Sequence, residues 1–303
     1  MKILVVGGAG FIGGNLSHYL YNTGASFTAV DDLSFGYMQN VPTGCDFVKK
    51  DFKDLSQDFL DQYDILVHVA CSNIIYAMKE PIATIINNGI STVDLFSKFK
   101  GKIIYTSTAS VYGQADNFPT VENSEKKFYN AYDTSKYIAE QYLRARGNYT
   151  TLRLSNVYGR FQRPENPYCG VIGKFMQQAH DKQPMTIYGD GNATRDYTYV
   201  EDVVEALSIA INIRNLDTEI NIATSVETSV MELAYICANT YNYHGDVNKV
   251  GKREIDCITR RSLSNRRAYA LMEWTPKTCI EKGIEATMHY FVGQHKEQMI
   301  NGN

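Results

Sequence analysis

Hydrophobic positions in this chain arrive first as short uninterrupted runs. Residues 3–6 are all apolar and break at once into Gly7-Gly8-Ala9-Gly10-Phe11-Ile12-Gly13. An unbroken apolar run predicts a strand buried on both faces, as in a parallel sheet; a half-exposed strand would alternate. Phe11, Leu16, Tyr19 and Leu20 then give the next segment one apolar face at helical spacing. Further strands are predicted at 27–30, 45–49, 65–70, 102–107 and 151–154. Helices are predicted at about 81–99 and around Tyr132, where Ile138, Tyr142 and Leu143 form the face expected to pack on the sheet. Strands alternating with helices imply right-handed crossovers and a doubly wound parallel sheet. No repeat, low-complexity segment or linker interrupts the pattern.

The residues between these elements suggest chemistry. Glycines at 7, 10 and 13 allow a tight turn, close approach of the backbone to a pyrophosphate and close packing of the following helix. That helix aims its unpaired N–H groups and dipole at the phosphates. Asp31 ends the second strand, where an acid hydrogen-bonds the adenosine ribose and disfavours a 2′-phosphate, so NAD is expected over NADP. Thr106-Ser107-Thr108 lie at the carboxyl edge of the sheet, where short hydroxyls can bond a substrate oxygen. His68, inside an apolar strand, reads as a packed core residue. Tyr132 and Lys136 are four apart, hence on one helix face. An ammonium beside a phenol favours the phenolate and would make a proton-transfer group usable near neutral pH. With 22 tyrosines in the chain such a pair arises by chance, so its weight comes from its surroundings.

Composition narrows the picture. The 303 residues, 44 % hydrophobic, can bury one large or two smaller α/β domains, and a net charge of −3 gives no general attraction to nucleic acid or anionic membrane. Arg260, Arg261, Arg266 and Arg267 read as a solvated face. Six cysteines (45, 71, 169, 237, 257 and 279) without a close pair suggest neither a disulfide framework nor a metal site. There is no run of membrane-spanning length and no signal-peptide pattern. A soluble cytoplasmic protein is expected, and the sequons at Asn148 and Asn192 are expected to be without meaning.

Taken together, these residues resemble the extended short-chain dehydrogenase/reductase family, in particular its nucleotide-sugar epimerases of the UDP-glucose and UDP-N-acetylglucosamine 4-epimerase type. The likeness spans nearly the whole chain. It rests on the glycines, Asp31, Asp51-Phe52 and the hydroxyl, Tyr132 and Lys136 set, then on Arg153 to Gly159, Gly170-Val171-Ile172, Ile187 to Gly191, Thr194 to Val203 and Trp274-Thr275-Pro276. The resemblance implies a Rossmann-like NAD domain at 1–155 with a return around 196–223, and a smaller α/β nucleotide-sugar domain at 156–195 and 224–303. It assigns Gly7, Gly10, Phe11, Ile12, Gly13, Asp31, Asp51, Phe52, Ala70 and Asn88, with Tyr132 and Lys136, to the cofactor. Tyr132 would be the general base and acid. Lys136 would bind the nicotinamide ribose and lower the tyrosine's pKa. Thr108, with Ser107 as rival, would bond the reacting oxygen. Asn156 and Arg195 would hold the substrate diphosphate with a late arginine, Arg253 or its competitors Arg260 and Arg261.

The same resemblance separates reactions. Sugar dehydratases carry an Asp-Glu pair after the catalytic threonine, and decarboxylases a glutamate at the second position; here Ala109-Ser110 stand there. The expected reaction is therefore inversion at carbon 4 of a UDP-hexose or UDP-N-acetylhexosamine, a choice to which the stretch 159–166 also points. The alternatives are a dehydratase, decarboxylase or 4-keto reductase of the same family, and a catalytically silent NAD-binding protein, against which the intact Thr108, Tyr132 and Lys136 argue. The family commonly forms homodimers through the helix after Pro81 and the Tyr132 helix. Leu95, Phe96 and Leu143 could serve that seam or an intramolecular core.

Overall fold

The computed structural model describes residues 1–162, 170–214, 216–253 and 256–301. Residues 163–166 of the epimerase-like stretch and Cys169 lie outside the described residues. Seven strands form one parallel sheet: β1 (Ile3–Val6), β2 (Phe27–Asp31), β3 (Asp46–Lys49), β4 (Ile65–His68), β5 (Lys102–Thr108), β6 (Tyr149–Leu154) and β7 (Thr218–Ile222), in the order β7-β6-β5-β4-β1-β2-β3. The apolar runs behave as predicted, since β1, β2, β4 and β6 are buried along their whole length. β3, at one edge, is half-exposed. The chain leaves β1 toward β3 and then crosses to β4 to build the other half, so a crevice opens beyond the carboxyl ends of β1 and β4. The fold is a Rossmann-like doubly wound sheet.

Two apolar layers sandwich the sheet. One joins Ile3, Val5, Leu16 and Leu20 to the helix Val200–Asn212 and Trp274. The other joins Leu4, Leu66, Ile103 and Tyr105 to Leu95, Phe96, Phe99 and Leu143. Leu95, Phe96 and Leu143 are therefore core residues, not an exposed seam. A third cluster, around Phe175, Ile187, Tyr197 and Leu233, packs the carboxyl-terminal elements, ending with the helix Ile280–Asn301.

The Tyr132 helix runs Ala131–Arg146, capped by Asn130, whose side chain accepts the Asp133 N–H. Its buried face is Lys136, Ala139, Glu140 and Leu143, while Ile138, expected on that face, is exposed. Glu140 takes the inward place because β6 offers it Arg153. The guanidinium forms two parallel bonds to the carboxylate (Nε to Oε1 3.0 Å, Nη2 to Oε2 2.6 Å), and both side chains are fully buried. Arg153 Nη1 also donates to the Tyr112 hydroxyl and the Glu122 carbonyl. One buried ion pair thus fastens the helix, β6 and the segment after β5 together.

His68 is a core residue, as expected. Its Nε2 lies 3.1 Å from the Thr92 hydroxyl, and the rings of Phe52, Phe96 and Tyr105 surround it. Burial, aided by the Lys136 charge, depresses its pKa to about 3. The neutral imidazole is the form that folding favours, so its stability contribution is complete above pH 6.5 and is lost as pH falls from there toward 3. Urea titrations of wild type and His68→Leu should therefore diverge in pH slope between pH 6 and 4, the wild type losing up to about 1.4 kcal/mol more per pH unit. Parallel slopes would contradict this.

Candidate functional site

The crevice beyond β1 and β4 is a cleft of about 680 Å³, lined by Gly7, Gly10, Phe11, Ile12, Gly13, Asp31, Asp51, Phe52, Ala70 and Tyr132 among others. The glycines are sterically required. Gly7 has φ +89°, and a Cβ there would strike the Ala70 backbone; a Cβ on Gly13 would overlap the Gly7 carbonyl oxygen. The helix Phe11–Asn22 begins at Gly10 without a side-chain cap, leaving its first amides for an anion. Asp31 accepts the Ala9 N–H (3.0 Å) and the Leu33 N–H (2.9 Å), which aim its carboxylate. Burial raises its pKa, and those two N–H groups partly offset the rise. Asp51 caps the turn Phe52–Asp54 and pairs with Lys53.

Asn88 lies differently from expectation. It does not line the cleft. Its amide clasps the backbone of Ser72, accepting the N–H and donating to the carbonyl, each at 2.7 Å. It thereby holds the loop that carries Ala70. The neighbouring Asn87 reaches the cleft and the Ser72 hydroxyl. Both project from a π-helical stretch, Ile85–Ser91, whose wider turn is common at functional sites. Helical periodicity at 3.6 residues gives no sign of it. Phe35 and Tyr76, ring to ring at 5.4 Å, also line the cleft without any motif to announce them.

Tyr132 reaches the cleft wall from its helix. Burial raises the phenol's pKa, as does Cys71, and the strongest opposing influences are a hydrogen bond with Thr108 and the charge of Arg261. The expected pull from Lys136 is not among the principal causes. Lys136 is buried, with its Nζ 4.5 Å from the centre of the Tyr105 ring, and burial lowers its pKa. Its ammonium has no hydrogen-bond partner among the described residues. Of the two candidate hydroxyls, Thr108 is the one at Tyr132; it also accepts the Ser110 N–H at 3.1 Å. The Ser107 hydroxyl is buried and has no hydrogen-bond partner among the described residues.

The predicted substrate residues Asn156, Arg195 and Arg253 are not among those that line the cleft. Asn156 opens a short strand, Asn156–Tyr158, paired with Tyr197–Tyr199. Arg195 is half-buried and donates to the carbonyls of Thr194 (2.8 Å) and Ile258 (2.9 Å). Arg253 is exposed, stacked 4.2 Å from the Tyr188 ring centre and doubly bonded to Asp256. Arg260 pairs with Glu227, and Arg267 donates to the Glu219 carbonyl and approaches Glu122. Arg261 departs most from a solvated face: it is half-buried, bonds the Ser110 hydroxyl, and stands within electrostatic reach of Tyr132, Asp133 and Arg195. A run of arginines reads as surface, and only the strand-like path of 262–264 beside Thr120 turns this one inward. Among the described residues there is no cluster of three or more metal-ligating side chains, and no helix is long and apolar enough to cross a membrane.

Residues 3–223 match the NAD dependent epimerase/dehydratase family. The chain belongs to that family. It is 30 % identical to UDP-glucose 4-epimerase of Mycolicibacterium smegmatis over 96 % of this chain and 98 % of that one. UDP-glucuronic acid decarboxylase 1 of Xenopus tropicalis is 26 % identical over 99 % and 74 %. The solved structure of UDP-glucose 4-epimerase with UDP-glucose from Thermotoga maritima superposes with a TM-score of 0.91 at 30 % identity, over 97 % of this chain and all of the other. The family's cofactor is NAD, and this cleft fits it: the glycine cradle leaves no room for a side chain, and the helix start is uncapped.

Proposed function

We propose that this member of the family is an epimerase that inverts carbon 4 of a UDP-linked hexose through a transient 4-keto sugar. What supports this reading is Tyr132 in the cleft wall with the Thr108 hydroxyl beside it, followed by Ala109 and Ser110 at the positions where the resemblance implies extra carboxylates in dehydratases and decarboxylases. When bound, NAD supplies a hydride acceptor and donor. Tyr132 takes the proton of the 4-hydroxyl as that carbon is oxidised and returns it on reduction, with Thr108 holding the reacting oxygen between sugar and phenol. Lys136 presents its ammonium to the cofactor's ribose. Gly7, Gly10, Gly13 and the first turn of the helix Phe11–Asn22 hold the pyrophosphate, and Asp31 the adenosine ribose. Asp51, Phe52 and Ala70 wall the adenine side. Asn156, Arg195 and Arg253 receive the nucleotide diphosphate, so that 156–195 and 224–303 form the substrate side and the large sheet the cofactor side. Catalysis is positioning plus one tuned proton group.

The test is product analysis after incubating the purified protein with UDP-, GDP-, CDP- and dTDP-sugars. A UDP-sugar 4-epimer with no net NADH supports the reading; loss of water or carbon dioxide overturns it.

The working form is a homodimer in this proposal. Ile82, Ile86 and Ile90 project at spacing i, i+4, i+8 and are 73, 46 and 59 % exposed, with Ile138 of the Tyr132 helix beside them. A purely aliphatic stripe on two adjacent helices is self-complementary across a two-fold axis, which suits a second copy of the chain. Sedimentation should show a dimer, and Ile86→Glu with Ile90→Glu should give a folded monomer. A wild-type monomer would contradict it.

A further inference from the structure

The carboxylate of Asp196 is fully buried and is held by four neutral donors. Its Oδ1 accepts the Thr224 N–H (2.9 Å) and the Thr224 hydroxyl (2.7 Å); its Oδ2 accepts the N–H groups of Ser225 (2.9 Å) and Leu263 (3.3 Å). Burial raises its pKa to about 6, and these same bonds oppose the rise. Bringing a carboxylate into the interior is costly even when its lone pairs are filled, and a residue needed only for packing would be apolar. What the carboxylate supplies is geometry, because two oxygens fix donors from two distant segments at one point.

The joined segments are those that bear the residues assigned to the substrate. Thr224 and Ser225 follow β7 at the edge of the cofactor sheet. Leu263 stands two places after Arg261 and packs with Ala109, Val111 and Tyr112, in the segment that follows Thr108. The main chain of Asp196 adds a third segment, since its carbonyl accepts the Asn156 N–H (2.9 Å). The preceding residue, Arg195, donates to the Ile258 carbonyl. Ser225 shows how firmly the junction is set. It has φ +64°, a left-handed conformation that costs a serine free energy and persists only where the surroundings impose it. Its N–H is on Asp196, and its hydroxyl donates to the Leu263 carbonyl (2.8 Å) and accepts the Asn265 N–H (3.2 Å). Without the carboxylate, this turn relaxes and takes the 261–263 stretch with it.

We propose that Asp196 is a positioning residue for substrate binding: it registers Asn156, Arg195 and Arg261 against the cofactor sheet, so that a nucleotide diphosphate finds them already in place. This rests on the nucleotide-sugar reading above. The proton-transfer groups are held independently. Tyr132 belongs to the helix Ala131–Arg146 and Thr108 to β5, and the Asp196 carboxylate bonds neither element. Loss of Asp196 therefore weakens binding and leaves the chemical step intact, which raises KM at unchanged kcat.

Asp196→Asn tests this, since it keeps the shape but turns one acceptor oxygen into a donor facing N–H groups. In titration calorimetry on the NAD-loaded protein, its affinity for UDP should fall about ten-fold, the range of one hydrogen bond to a charged group. With the UDP-hexose that wild type epimerises, KM should rise by a similar factor while kcat stays within about two-fold. Thr224→Val is the milder variant, removing one donor and keeping the carboxylate; it should show the same split at about two- to three-fold. Retained NAD and a cooperative melting transition would show that each variant is folded. Unchanged UDP affinity in folded Asp196→Asn, or in Thr224→Val should the former not fold, would overturn the proposal. So would a fall in kcat at unchanged KM, or loss of NAD in step with UDP, which would make Asp196 a general support of the fold. Failure of wild type to bind UDP at all would overturn the nucleotide-sugar reading itself.

Discussion

Replacing Tyr132 with phenylalanine should lower turnover by about a thousand-fold, within the range of a positioned proton-transfer group, while NAD stays bound. The phenol lines the cleft and stands beside the Thr108 hydroxyl. Phenylalanine keeps the ring's packing and removes only the oxygen. Thr108→Val should cost less, since it removes the relay but leaves the acid and base. The measurement is kcat beside the absorbance ratio that reports bound cofactor. Near-normal kcat in Tyr132→Phe would remove the tyrosine from the mechanism.

Arg153→Met should destabilise the fold by about 3–5 kcal/mol, because it leaves the Glu140 carboxylate fully buried without its partner. Against a typical total of about 5–15 kcal/mol that is a large share. The effect reaches the site, since Glu140 stands one turn from Lys136 on the helix that also bears Tyr132. Urea unfolding measures it, and the double variant Arg153→Met, Glu140→Leu should recover most of the loss, as apolar replacements of buried pairs do. A single variant as stable as wild type would mean that Glu140 finds another partner or takes up a proton at little cost.

The sheet was legible because a parallel strand buried on both faces leaves an unmistakable apolar run; β1, β2, β4 and β5 fall where those runs lie. The cofactor cleft was legible because phosphate binding demands glycine where a Cβ cannot fit, as at Gly7 and Gly13. Periodicity could not tell which partner an apolar residue faces. Leu95 and Phe96 meet the sheet while Ile86 and Ile90, on the same continuous helical run, meet solvent, and both sets are equally apolar in sequence. The helix face was misjudged for a related reason: Ile138 lost the inward place to Glu140, which is inward only because Arg153 answers it across β6. Arg261 was hidden among neighbouring arginines, its burial set by a pairing with Thr120 some 140 residues earlier in the chain. Asn88 was found by its motif, but its work is on Ser72 and so one step removed from the cleft.

The central claim is that the hydride removed from carbon 4 returns to the same sugar. A crossover experiment addresses it directly: a mixture of UDP-sugar carrying deuterium at carbon 4 and unlabelled UDP-sugar bearing carbon-13 elsewhere in the ring, incubated with the protein and separated by mass. Epimers that keep deuterium only on molecules without carbon-13 would match the account. Deuterium lost to water, or found on the carbon-13 sugar, would contradict it.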